Sequence, residues 1–144
     1  MRYKQGYHYQ TVEEFKVLLA GCPDIHQSYF KNGIWAINKY VSIEHGGDGL
    51  YWLYIASGYA WDGATGAVDT DNFMVPSMVH DAILELIGSG WLLYGPWKPW
   101  IDKFLIKLCK DRGMNWVRRQ RVYWAVRLLG NPKGSLPKEI IEVI

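Results

Sequence analysis

Cysteine, charge and long apolar runs are all scarce in this chain of 144 residues. Its two cysteines, Cys22 and Cys109, form no CxxC pair and no zinc spacing, so a cysteine-held metal site is excluded and free thiols in a reducing compartment are expected. Charged residues make up 21% and apolar residues 49%, which is globular rather than disordered composition. No apolar run approaches the roughly 20 residues of a membrane span. The opening stretch MRYKQGYHYQ is too polar for a signal peptide, so a cytoplasmic product is expected. GxSxG, P-loop and HExxH motifs are all absent, which removes a nucleophile elbow, a Gly-rich phosphate cradle and a zincin helix from consideration. There is no internal repeat and no low-complexity linker, and the length is that of one ordinary domain.

What the chain has in excess is aromatic side chains, with eight Trp and ten Tyr. Such residues fill cores but also populate binding surfaces, because one end of each is polar. Trp91, Tyr94, Trp97 and Trp100 lie among prolines and glycines, and read either as a shelf for sugar rings or a partner protein, or as a lid over the core. Charge is unevenly spread within a net +2. Lys98 to Lys133 holds ten Lys or Arg against two Asp, giving +8, and the remainder holds six against twelve acids, giving −6. A basic face for a polyanion and a basic half packed on an acidic half both fit this split. Arg118, Arg119, Arg121 and Arg127, with Tyr123 and Trp124 between them, fit phosphate contact and base stacking or a snorkelling helix surface.

The local pattern changes near residue 70. Gly33–Glu44 and Leu50–Ala56 are rich in aromatic and β-branched residues and predict strands, joined by the glycine-rich turn His45–Gly49. Tyr51, Leu53 and Ile55 then share one face of a central or covered strand. In Thr11–Leu19, Thr11 and Glu14 have capping-box spacing, but Phe15, Val17 and Leu19 alternate, and a strand is preferred. Helices are predicted over Pro76–Ile87, with proline in the first turn, and over Pro99–Arg112, stopped by Gly113. A third starts at an Asn115 cap and ends at Gly130. Strands followed by helices make the chain α+β: an N-terminal antiparallel sheet of hairpins with three helices packed on it. The expected layout is one domain over 1–144, mainly β over 1–68 and mainly α over 72–130, with a tail over 131–144.

Residues suited to chemistry gather where the two patterns meet, in Gly58–Asp81. Asp62 stands in a glycine-flanked turn, Gly58 to Gly63, where glycine permits close approach of another group. His80 and Asp81 follow on a helix, about 100° apart around its axis, with Ser77 one turn before Asp81 and Glu85 one turn after it. Asp102 is expected in the first turn of the next helix, within reach of His80 if those helices pack antiparallel. One imidazole with two or three carboxylates suits a divalent metal that activates water. Without a metal, His and Asp are the minimum apparatus for acid–base work. The same residues also fit a buried polar network with Arg121 or Arg127, and Asp102 fits a helix dipole. Asp69, Asp71 and Asn72 open like a calcium loop but lack its glycine and closing glutamate.

The stretches GYAWDGATG and PSMVHDAI, the IDKF helix and the RVYWAVRLLG helix resemble the phage and prophage family known as domain of unknown function 1353. The resemblance covers about Trp52 to Gly130. It implies matching roles for Gly58, Asp62, Gly63, Ser77, His80, Asp81, Asp102, Tyr123 and Arg127. Where relatives carry HDxLY, this chain has Ala82-Ile83-Leu84 after its His-Asp pair. The HD phosphohydrolases are a poorer comparison, since their upstream histidine sits on a helix and His45 falls in a glycine turn.

Two functions are expected from this reading. The first is a small phage-type hydrolase, metal-assisted or His/Asp-dependent, with His80, Asp81 and Asp62 catalytic. A divalent cation would be held by Asp62, His80, Asp81 and Asp102, with Gly58, Gly63, Ser77, Tyr123 and Arg127 in support. The second is a non-catalytic tail, particle or host-factor-binding protein. Partners would be other phage proteins or a host envelope component, ahead of nucleic acid. The place of action would be the host cytoplasm or the virion.

Overall fold

The computed structural model describes residues 3–4, 9–11, 13–25, 33–35, 38–46, 49–61 and 71–129. Its elements are β1 (Tyr3–Lys4), β2 (Tyr9–Thr11), β3 (Phe15–Leu18), β4 (Ile34–Trp35), β5 (Val41–His45), β6 (Tyr51–Ile55), β7 (Ala60–Trp61), α1 (Asp71–Gly88), α2 (Tyr94–Asp111) and α3 (Trp116–Leu129). The fold is α+β, with strands first and three helices after them.

Four strands form an antiparallel sheet in the order β3-β6-β5-β4, and a smaller sheet runs β1-β2-β7. β6 is interior, as its two-faced apolar content requires. Its pairs with β5 set Val41 opposite Ile55 and Ile43 opposite Leu53, and all four side chains are at most 2% exposed. Cross-strand aliphatic pairs of this kind hold register, since a one-residue slip would turn the apolar set outward. The stretch expected as one strand over Gly33–Glu44 is instead two. β4 pairs back on β5, Ile34 with Glu44 and Trp35 with Ile43, so a turn lies inside the aromatic run. Thr11 starts no helix. Its hydroxyl donates to Ala56 O at 3.0 Å and accepts from Tyr59 N at 3.1 Å, and β3 follows as the strand the alternation predicts.

α1 begins five residues before the expected proline start, so Pro76 lies within the helix. Every residue from 73 to 87 is buried, and a helix apolar on all sides belongs inside the molecule. Met78, Val79, Ala82 and Leu86 share a cluster with Ile43, Leu53 and Ile55 of the sheet and with Ile101 and Phe104 of α2. A second cluster, Phe73, Leu105, Cys109, Met114, Val122 and Val126, joins α1 and α2 to α3. α2 also starts earlier than expected, at Tyr94, with Pro99 inside it. Asp102 is therefore two turns in from the helix start and not in the first turn, so the helix dipole does not account for it. α2 stops as predicted, with Gly113 at φ 89°. Asn115 caps α3, its side-chain oxygen accepting from Arg118 N at 2.9 Å. Among the described residues no helix is long and apolar enough to cross a membrane.

Candidate functional site

The helical layer encloses an acid that has no solvent exposure. Asp102 on α2 is 0% exposed, and its neighbours Lys98 and His80 are 1% and 4%. Oδ1 of Asp102 lies 2.7 Å from His80 Nε2. Oδ2 accepts from Lys98 Nζ at 2.6 Å and from Arg127 Nη1 at 3.2 Å. Lys98 Nζ also donates to Val126 O at 3.1 Å. One carboxylate thus collects donors from the middle of α1, the first turns of α2 and the last turn of α3. Lys98 and Asp102 meet because they are four residues apart on one helix, the spacing at which side chains stand over one another.

Electrostatics decides the protonation state. Burial alone would raise the pKa of Asp102, but the hydrogen bonds from His80 and Lys98, with their charges, outweigh it. The carboxyl is held below its ordinary value and is an anion near neutrality. An ionised carboxylate only accepts hydrogen bonds, so Nε2 of His80 must carry the hydrogen it gives to Asp102. In the neutral ring the lone pair is then on Nδ1. Among the described residues the bond to Asp102 is the hydrogen bond His80 makes. The result is an imidazole fixed in tautomer and orientation by a buried acid, with its basic nitrogen turned elsewhere.

The other expected site residues are placed as follows. Asp81 and Glu85 are buried on α1 at 7% and 4% exposure. Ser77 is buried too, and its hydroxyl donates to Met74 O at 2.9 Å within the helix, a local bond that needs no role at the site. Gly58 has φ 89°, and its amide donates to Thr11 O at 2.9 Å. A Cβ there would come within 3.3 Å of the Tyr40 ring, so position and conformation both call for glycine. Tyr123 packs edge-on against Trp124 at 5.4 Å. Arg127 joins the Asp102 cluster. Asp62 and Gly63, with the loop bearing Asp69, lie outside the described residues.

The structure therefore brings His80 and Asp102 together and adds Arg127. Among the described residues no three His, Cys, Asp or Glu side chains are grouped as a metal ion requires. Both oxygens of Asp102 are already engaged by N–H donors, so its chemistry is that of an ion-pair hub. Lys98 was not singled out from sequence. Its signal was the i, i+4 spacing to Asp102 beside the apolar Trp97 and Ile101, which is visible only once the helix is begun before Pro99.

Comparison with protein families, with curated proteins and with solved structures found no match.

Proposed function

We propose that this protein is a small hydrolase of phage type in which His80 is the general base and Asp102 its positioning residue. The observation that carries this reading is the 2.7 Å contact between His80 Nε2 and the fully buried, ionised Asp102. In that arrangement Nδ1 takes a proton from water as the water oxygen bonds to an acyl or phosphoryl centre. The bond to the leaving oxygen then breaks, and the same proton passes from Nδ1 to that oxygen. Asp102 stabilises the transient imidazolium, while Lys98 and Arg127 keep Asp102 ionised. An ester linkage in an envelope polymer and a phosphate ester are the substrate classes this chemistry serves. A divalent cation held by Asp62 and Asp81 would polarise the bond being cleaved.

A second reading is favoured by the bond from Lys98 Nζ to Val126 O and by the burial of His80, Lys98 and Asp102. In it the four side chains are an internal clamp that fixes the register of three helices, and the protein is a non-catalytic tail, particle or host-factor-binding component. Turnover separates the two. Acyl esters, phosphate esters and cell-envelope polymer should be offered to the wild type and His80→Gln, with and without divalent ions, alongside thermal unfolding of both proteins. The hydrolase reading expects His80→Gln to stay folded and to lose about 10²–10⁴-fold in kcat, the usual worth of a general base. Undiminished turnover in that variant, or no turnover by the wild type on any class, sinks it.

A further inference from the structure

A cavity of about 420 Å³ lies away from the Asp102 cluster, between the segment ending at Ile25, strand β4, the α1–α2 connection and the start of α2. We propose that it binds a small organic cation of the quaternary-ammonium class, independently of any chemistry at His80. Its walls are aromatic. Trp35 and Trp91 meet at 86° with centroids 5.9 Å apart, forming a corner, and the buried Trp97 lines the same space with Leu93 and Pro96. Asp24 is exposed and is the charged side chain among the described lining residues. A methylated ammonium is attracted to an indole face without needing hydrogen bonds, and three indoles line this space.

The remaining inventory narrows the ligand further. The amides of Gly90, Trp91, Leu92 and Trp97 already donate to Ile87 O, Leu86 O, Leu86 O and Leu93 O. A saccharide ring needs several donors and acceptors, and the described lining offers Asp24 as its one side-chain acceptor. Asp24, the charged side chain of the described lining, gives the site its sign. The volume lies within the range of small-molecule pockets, about 300–1,000 Å³.

Choline is the probe. It should be titrated into the full chain by tryptophan fluorescence and calorimetry, beside its uncharged isostere 3,3-dimethylbutanol and beside N-acetylglucosamine. Saturable binding on the order of millimolar Kd is expected, with the isostere about tenfold weaker. Trp91→Ala and Asp24→Asn should each weaken choline about threefold or more. Because Asp24 is exposed, Asp24→Asn keeps the test informative if Trp91→Ala fails to fold. Phosphocholine and phosphatidylcholine vesicles run in parallel tell a free cation from a lipid headgroup, and tighter binding of either supports the site. Equal affinity for choline and the isostere, preference for the sugar, or no saturation by any cationic probe overturns the proposal.

Discussion

On the sheet, Val41, Ile43, Leu53 and Ile55 are buried aliphatics paired across β5 and β6. On α1 and α2, among the described residues, sit all the buried His, Lys, Asp and Glu side chains: His80, Asp81, Glu85, Lys98 and Asp102. The strand half is held by area, which tolerates exchange between side chains of similar volume. The helical half is held partly by direction, because each buried charge requires a named partner at hydrogen-bonding distance. A chain that needed only a stable core had no reason to place a lysine at 1% exposure.

That contrast can be broken by substitution. The largest effect belongs to Asp102→Ala, which leaves the buried His80 N–H without its acceptor and Lys98 with Val126 O alone. A loss of about 3–5 kcal/mol is expected, as when one partner of a buried ion pair is removed, read from chemical denaturation. A loss under about 1 kcal/mol would mean that water replaces the carboxylate and that the helical half is no more directional than the sheet. Next is Leu53→Ala in the centre of β6. It should cost about 3 kcal/mol through lost burial and the cavity left behind, while Leu53→Met, keeping the volume, should cost under about 1.5 kcal/mol.

The smallest effect is a pH limb. The pKa of Asp102 is lowered in the folded state, so its contribution is complete above the ordinary carboxylate value of about 3.9. It is lost progressively as pH falls from there through the lower folded value, because the unfolded chain takes up a proton that the native carboxyl still resists. Stability against pH should therefore fall at the acid end in the wild type, and more shallowly in Asp102→Asn. Identical limbs would place the acid sensitivity elsewhere.

Much of the fold was legible because its signals are local. The two-faced pattern of Leu50–Ala56, the stop at Gly113 and the cap at Asn115 each arise within a few residues, and each is found. Prolines misled at the helix starts. Pro76 and Pro99 read as first-turn residues, yet both lie inside helices, because burial of Phe73, Met74 and Val75 before one and of Trp97 and Lys98 before the other outweighs the missing amide hydrogen. That one error hid Lys98 from view. The pairing of His80 with Asp102 was legible from helix proximity and needed no exact boundary. The turn inside Gly33–Glu44 was not, since the run is apolar throughout and only tertiary pairing decides where it folds back.

Thr11 ties the molecule together in time as well as in space. It exchanges backbone bonds with Tyr59 and Gly58, and its hydroxyl reaches Ala56 and Tyr59 across 45 and 48 residues. Loop closure over such spans is slow compared with contacts between successive helices. The contacts of Asp102 with His80 and Arg127 close spans of 22 and 25 residues, so the join between Thr11 and the Ala56–Tyr59 segment is the costlier closure.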